Sequence, residues 1–152
     1  MTWQTGALRL ATSADIGAVA RLHREVRRAC LPYLPDLHTA EEDERFFRQH
    51  VFPSCTVWIA EIDRIIGFCA FRPGWVDHLY VAPDFHGRGI GSALLAKAMA
   101  VHSHLQLWVF TRNAPAIRFY IARGFRRVTQ TDGSRNEERE PDALYEWRRR
   151  AV

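Results

Sequence analysis

The sequence is almost devoid of lysine, has few cysteines and has no long apolar run. Lys97 is the single lysine among 21 basic residues, so the other 20 are arginines. The longest uninterrupted apolar stretch, Ile65–Phe71, is far shorter than the roughly 20 residues that a membrane-spanning helix requires. We therefore expect no membrane segment and no membrane partner.

The three cysteines, Cys30, Cys55 and Cys69, are an odd number and are widely spaced. This pattern matches neither a disulfide framework nor a zinc site, so we expect no bound metal. The N-terminal residues also lack the charged start and apolar run of a secretory signal. These features together predict a cytoplasmic protein.

The length of 152 residues fits one domain, which we expect to span residues 1–152. Apolar residues make up 47% and charged residues 25% of the chain, as in ordinary globular proteins. The net charge is +4, and arginine favours planar anions, so a phosphorylated cofactor or a nucleic acid is compatible with the composition. The arginines are scattered and form no stripe, which argues against nucleic acid.

Turn residues and apolar periodicity predict the element order β-α-α-β-β-β-α-β-α-β-β. Ser13 and Asp15 open the first helix, the pair Thr39 and Glu42 forms a capping box for a second helix to about Phe52, and Asn113 caps the last helix. Hairpins predict antiparallel central strands, whereas the later strand–helix–strand unit predicts a parallel pair. The sequence thus predicts an α/β protein with a mixed sheet and helices on both faces. The expected strands are 7–12, Thr56–Glu61, Ile65–Arg72, Trp75–Val81, Leu105–Phe110, Phe125–Thr131 and Ala143–Arg148.

A glycine cluster follows the predicted strand Trp75–Val81 and opens a helix. The segment from Val81 reads VAPDFHGRGIGSALL. The first amides of a helix have no internal partners, and glycines let the backbone approach an anion closely, so this loop could hold a pyrophosphate. It is not a P-loop, because no Lys-Ser or Lys-Thr follows, and it lacks the third glycine of a dinucleotide fingerprint.

The loop and a second block resemble the GCN5-related N-acetyltransferase (GNAT) superfamily. The segment from His86 to Gly91 is similar to the signature Gln/Arg-x-x-Gly-x-Gly/Ala, with His86 in place of Gln or Arg. A second resemblance is to the family block NxxAxxFYxxxGF, and the element order also fits over nearly the whole chain. The matching residues of the second block are Asn113, Ala116, Phe119, Tyr120, Gly124 and Phe125.

This resemblance implies acetyl-CoA as the co-substrate. Its pantetheine arm would run along the strand end at Leu79, Tyr80 and Val81, and Asn113 would bond the arm from the opposite side. The pyrophosphate would lie on the amides of the glycine loop. That loop consists of His86, Gly87, Arg88, Gly89, Ile90, Gly91 and Ser92.

The resemblance also implies the catalytic groups. Tyr120 is similar to the family's general acid, and it would sit against the cofactor. Asp77 falls where the family places polar residues facing the acetyl group, so it is the first candidate for the base. Strand alternation would put Asp77 on one face with Leu79 and Val81. His78, Glu61 and a water chain are the alternatives.

The function implied is direct transfer of an acetyl group from the thioester to a primary amine of a small molecule or a protein. The alternative is a non-catalytic acyl-CoA-binding or regulatory module of the same fold. The family varies its acceptor site in the region Cys30–Glu44, so substrate contacts are expected there, with Tyr33, Trp75 and Phe46 or Phe47 as possible lining. A homodimer is plausible from the frequency of C2 dimers among oligomers.

Overall fold

A computed structural model describes residues 6–151, and these build one seven-stranded mixed sheet. The strand order across the sheet is β1-β2-β3-β4-β5-β7-β6, and all neighbours are antiparallel except β4 and β5. The predicted element order is confirmed. The strands are β1 (Ala7–Leu10), β2 (Thr56–Glu61), β3 (Ile65–Arg72), β4 (Gly74–Val81), β5 (His104–Phe110), β6 (Arg126–Gln130) and β7 (Asp142–Arg148).

Four main helices connect these strands. A 3-10 turn at Ser13–Asp15 leads into α1, and the predicted capping box starts α2: Thr39 accepts a hydrogen bond from the Glu42 amide, while Glu42 accepts one from the Thr39 amide. Helix α2 continues into a π-helical turn at Phe47–Val51 and a last turn at Phe52–Ser54, so the predicted extent to about Phe52 is confirmed, although the π-helical geometry was not predicted. The helices are α1 (Ile16–Cys30), α2 (Ala40–Phe46), α3 (Ile90–Val101) and α4 (Ala114–Ala122).

Helices pack on both faces of the sheet, and successive residues of β3 point to opposite layers. The Phe68 ring faces the π-helical turn after α2, where its centroid lies 5.8 Å from that of Phe47. Gly67 faces α3, and a Cβ at this position would lie 3.2 Å from Leu94. Both phenylalanines and Leu94 are fully buried, so the core lies on both sides of the central strands.

The parallel strands β4 and β5 separate soon after they meet. They pair only at Gly74 with Leu105 and at Trp75 with Gln106. Among residues 6–151, no strand pairs with the remainder of β4, up to Val81, on that side. The result is a wedge-shaped opening in the middle of the sheet, and this opening positions the candidate site.

A β-bulge interrupts β4 before the wedge. Phe71 pairs with Val76 and Ala70 pairs with His78, so Asp77 is an extra residue on its strand. A bulge resets the alternation of side chains. The expectation that Asp77 shares a face with Leu79 and Val81 is therefore wrong.

The single lysine, Lys97 of α3, places its ammonium 4.3 Å from the centroid of the Trp58 ring, a cation–π contact. Within residues 6–151, no helix is both long and apolar enough to cross a membrane.

Candidate active site

The open edge of β4 presents backbone groups to the wedge. The amide of Ala82 donates to the Ile66 carbonyl of β3 at 2.8 Å, so alternate residues of this strand direct their backbone groups toward β3. The backbone amide and carbonyl groups of Leu79 and Val81 consequently point into the wedge. The Val81 carbonyl already accepts a hydrogen bond there, from Nε2 of His86 at 2.7 Å. The wedge therefore offers an unpaired strand edge to an extended ligand.

The glycine loop continues from this edge into the start of α3. Gly87 and Gly89 have φ angles of +76° and +82°, values that favour glycine, and Gly89 is the N-cap of α3. A Cβ at Gly87 would meet nothing within 4 Å, so space beside the backbone is open there. At Gly91 a Cβ would lie 3.3 Å from the Phe119 ring, which makes this glycine a close-packing position. Uncovered amides at a helix start suit an anion.

The wedge and the loop form one continuous cavity of about 560 Å³. It contains eleven of the thirteen residues predicted for the site, and the exceptions are Asp77 and Arg88. The Arg88 guanidinium instead lies 4.9 Å from the centroid of the Phe85 ring. The predicted residues that line this cavity, called here the wedge cavity, are Leu79, Tyr80, Val81, His86, Gly87, Gly89, Ile90, Gly91, Ser92, Asn113 and Tyr120.

Helix α4 forms the opposite wall of the wedge cavity. Asn113 caps this helix, because its side-chain oxygen accepts from the Ala116 amide at 3.4 Å. Tyr120 packs edge-on against Phe119 and Phe125, with ring centroids 5.2 and 5.4 Å away. Burial raises the pKa of Tyr120, so its phenol keeps its proton at neutral pH. The wall thus brings a protonated hydroxyl group to the cavity.

Ser92 and Arg123 are linked across the mouth of the cavity. Nε of Arg123 donates to the Ser92 hydroxyl at 3.2 Å, and the guanidinium stacks 3.7 Å from the Phe119 ring centroid. Both residues line the wedge cavity. A fixed guanidinium beside the glycine loop is suited to a phosphate.

Asp77 lies outside this cavity, which is a second correction to the expectation for this residue. Its carboxylate accepts hydrogen bonds from Nε and Nη2 of Arg72 at 2.7 and 3.2 Å, and the Cys55 thiol lies 3.4 Å away. The bulge in β4 is the physical reason, because it turns the Asp77 side chain toward Arg72, the last residue of β3. The position of Asp77 does not support a role as the base.

We expect Asp77→Asn to leave turnover of acetyl-CoA within a few-fold of the wild-type value. The ion pair with Arg72 is partly exposed, so its loss should change the free energy of unfolding by only about 0–1 kcal/mol. Steady-state kinetics and a denaturant titration check these two statements. If a normally folded variant instead turned over about 100-fold more slowly, the loss expected for an acid–base group, Asp77 would be restored as the base.

The other two side chains considered for the base occupy different surroundings. Glu61 accepts from Nε of Arg9 at 3.0 Å and lines neither this cavity nor the second one described below. His78 is half-buried among aromatic rings, and this burial lowers its pKa to about 4. Its ring is therefore neutral at pH 7 but a weak proton acceptor.

A second cavity of about 430 Å³ lies on the α1–α2 side of the sheet. We call it the α1–α2 cavity. Phe46 lines it as expected, whereas Phe47 is fully buried core and Tyr33 and Trp75 line neither cavity. Its lining residues are His23, Arg24, Arg27, Arg28, Pro35, Asp36, Leu37, His38, Glu42, Asp43, Arg45, Phe46, Gln49, His50, His78, Glu137 and Glu138.

The segment between β6 and β7 closes the α1–α2 cavity from one side. Arg112 holds this segment by donating to both oxygens of Glu140 at 2.9 Å each, and its guanidinium stacks 4.1 Å from the Tyr33 ring centroid. Arg27 pairs with Glu138 at 3.2 Å, and His38 pairs with Glu137. The connection after α1 and the segment before β7 are thus tied together.

Several lining residues were not predicted individually, although Cys30 and Leu31 lie in the region expected to contact the substrate. Val26, Cys30 and Leu31 of the α1 end reach the wedge cavity, and His23 and Arg27 of the same helix reach the α1–α2 cavity. His23 and Arg27 are four residues apart, so they lie on the same face of α1. This spacing is the feature of the sequence that could have indicated a polar helix face toward the sheet. Glu137 and Glu138 belong to a polar segment between β6 and β7 whose composition predicts only a solvated linker.

The chain is similar to acetyltransferases of known sequence. Residues 53–127 match the family model described as an acetyltransferase (GNAT) domain. The peptidyl-lysine N-acetyltransferase YiaC of Escherichia coli is 34% identical over 103 residues, which are 66% of this chain and 62% of that protein. The peptidyl-lysine N-acetyltransferase YjaB of Salmonella typhimurium is 29% identical over 96 residues, covering 62% of this chain and 65% of that protein. Each match thus spans less than two thirds of the relative's length.

Solved structures have the same fold at lower identity. The solution structure of apo YjaB from Escherichia coli superposes with a TM-score of 0.77 at 20% identity, covering 95% of this chain and 98% of that one. The PaiA N-acetyltransferase of Thermoplasma acidophilum, crystallised in complex with coenzyme A, gives a TM-score of 0.72 at 20% identity and covers 95% and 99% of the two chains. The architecture is therefore shared along the described length.

Proposed function

Since the chain belongs to the GNAT superfamily, we propose that it is an acetyl-CoA-dependent N-acetyltransferase acting on a primary amine. The observation that carries this proposal is the wedge cavity, in which an unpaired strand edge leads directly into a glycine-rich helix start. An extended amide-containing arm with a pyrophosphate at one end has the complementary chemistry. Acetyl-CoA is such a molecule, and it supplies an activated acetyl thioester.

The residues of the wedge cavity divide the binding of acetyl-CoA between them. Backbone groups of Leu79 and Val81 suit the amides of a pantetheine arm, and the first amides of α3 suit the pyrophosphate. Arg123 and Ser92 add a charged and a neutral donor beside the loop. Asn113 lines the cavity from α4, although its oxygen is already used in capping that helix.

Tyr120 acts as the general acid in this proposal. A thiolate leaves when the amine attacks the thioester, and a phenol that burial keeps protonated is available to donate to it. An attacking amine must also lose a proton, since a lysine-like amine has a pKa of about 10.4 in water. Of the alternatives considered, Asp77 and Glu61 are ion-paired outside both cavities, and His78 is a weak acceptor, so water carries this proton.

The positions of the cysteines support direct transfer without an acetyl-cysteine intermediate. Cys69 is fully buried in β3, and burial raises the pKa of Cys55 to about 11 and also raises that of Cys30. A thiol with a raised pKa is a poor nucleophile at neutral pH, because the thiolate is the reactive form. The amine therefore attacks the thioester itself.

The α1–α2 cavity holds the acceptor in this proposal. It contains part of the variable region between residues 30 and 44, and it lies against His78 of β4, the strand that also borders the wedge cavity. The first class of acceptor to test is the lysine side chain of a peptide, because both curated relatives are peptidyl-lysine N-acetyltransferases. Small amines are the second class.

Release of the CoA thiol in the presence of candidate amines tests the proposal. The protein is incubated with acetyl-CoA and either lysine peptides, peptide N-termini, polyamines, aminoglycosides or amino acids. Enzymatic turnover with at least one class is expected, with product confirmed by mass spectrometry. Tight acetyl-CoA binding without any amine-dependent thiol release would favour the alternative, a non-catalytic acyl-CoA-binding module.

A further inference from the structure

The carboxylate of Glu138 lines the α1–α2 cavity and uses only one of its oxygens in a hydrogen bond. Its side chain is only 16% exposed, and its Oε2 accepts from Nη2 of Arg27 at 3.2 Å. Within residues 6–151, its Oε1 receives no hydrogen bond. A carboxylate has about four acceptor sites, so most of its capacity is unused.

The neighbouring acids of the same segment are bound differently. Glu140 accepts a hydrogen bond from Arg112 on each oxygen, which fixes the segment in place. Glu137 is 56% exposed at the rim and pairs with His38. Of these three, only Glu138 is largely shielded from solvent and also keeps an oxygen that receives no hydrogen bond from residues 6–151, and this oxygen can accept from a cation that enters the cavity.

The pair of Glu138 and Arg27 lies between the two cavities. Both residues line the α1–α2 cavity, while Val26 and Cys30, on either side of Arg27 in α1, line the wedge cavity. The His23 ring, which also lines the α1–α2 cavity, packs against Tyr80 with ring centroids 4.9 Å apart. Tyr80 in turn lines the wedge cavity. A cation bound at Glu138 therefore lies at the boundary with the wedge cavity.

A second polar group of the cavity also lacks a partner. Nδ1 of His23 is buried and has no hydrogen-bond partner within residues 6–151. The His23 ring packs edge-on against Tyr80 and His78, with centroids 4.9 and 5.4 Å away. No hydrogen bond fixes this ring through Nδ1, so its position depends on the aromatic packing. The aromatic rings around it suit an aliphatic stem.

We propose that Glu138 is the acceptor-binding carboxylate, which takes up the ammonium group of an unbranched alkylamine such as a lysine side chain. Arg27 orients the carboxylate through Oε2, and Oε1 receives the ammonium. The methylene stem lies along the rings of His23, His78 and Phe46. This inference rests on the proposed acceptor role of the α1–α2 cavity, and it makes Glu138 a determinant of specificity for cationic acceptors.

The test is a binding titration that does not depend on turnover. The probe is Nα-acetyl-lysine methylamide, and the ring-proton resonances of His23 and His78 report its binding by NMR. Nα-acetyl-norleucine methylamide, which has the stem without the ammonium, is the ligand control. The blocked lysine should shift both rings at millimolar concentrations, and Glu138→Gln should weaken its binding at least 10-fold. The norleucine compound should bind at least 10-fold more weakly than the lysine compound.

A matched variant and a kinetic readout separate the possible results. Glu44→Gln removes a carboxylate of α2 outside both cavities and should leave binding unchanged. In turnover, Glu138→Gln should raise KM for the amine at least 10-fold while KM for acetyl-CoA stays constant. Equal binding of the lysine compound by wild type and Glu138→Gln, or no shift in wild type, overturns the inference and leaves the acetyltransferase proposal intact. Glu138-dependent binding without turnover of any amine overturns the activity and leaves the inference intact.

Discussion

Replacing Tyr120 by phenylalanine is expected to lower kcat about 100-fold, the typical contribution of one acid–base group. The ring packs between Phe119 and Phe125, and phenylalanine preserves these contacts while deleting the hydroxyl. KM for acetyl-CoA should stay nearly constant, because the lost interaction forms only as the thiolate leaves. Steady-state rates of thiol release, measured with an acceptor identified by the amine screen, provide both constants.

A second tyrosine provides the control for this variant. Tyr145 of β7 is also buried but does not line the wedge cavity, so Tyr145→Phe should keep kcat within a few-fold. Both variants should unfold at similar denaturant concentrations. Full activity of Tyr120→Phe would remove the acid assignment and leave acetyl-CoA binding unaffected as a proposal.

Gly89→Val is expected to weaken acetyl-CoA binding about 10-fold or more, which corresponds to at least ~1.4 kcal/mol. Gly89 has a φ of +82° at the N-cap of α3, a conformation that a β-branched residue adopts only with strain. The side chain would also cover amides that the pyrophosphate should contact. Isothermal titration calorimetry with acetyl-CoA measures the change directly.

The strain of this substitution needs its own control. Gly74 has a nearly identical φ of +83°, lies at the turn into β4 and does not line the wedge cavity. Gly74→Val should therefore destabilise the fold to a comparable extent without weakening acetyl-CoA binding. Unchanged affinity in a folded Gly89→Val protein would contradict the assignment of the pyrophosphate to this loop.

The element boundaries were predictable because local chemistry sets most of them. The capping box of Thr39 and Glu42 and the side-chain cap of Asn113 depend on residues three apart, so the sequence displays them in full. The hairpin strands β2 and β3 have the predicted bounds, because the short turn between them sets where β2 ends and where β3 begins. The continuation of the second helix to about Phe52 was predicted, but its π-helical turn was not, because such a turn requires no distinctive residue.

The site was predictable where one continuous segment builds it and not where distant segments meet. The glycine loop and the end of β4 carry their chemistry in successive residues, and all but Arg88 line the wedge cavity. Asp77 was placed wrongly because a bulge depends on how β4 pairs with β3, which alternation along one strand cannot reveal. Glu138 and Arg27 are 111 residues apart, and only the fold brings them together.

The contact between Lys97 and Trp58 has a consequence for the protein's own chemistry. Under the proposed activity on lysine side chains, the protein's own lysines would be potential sites of self-modification. The sequence contains one lysine, Lys97 of α3, whose ammonium lies over the Trp58 indole of β2 and which lines neither cavity. Arginine supplies the remaining positive charge and has no nucleophilic amine at neutral pH. The surface charge of the chain is therefore largely insensitive to acetylation.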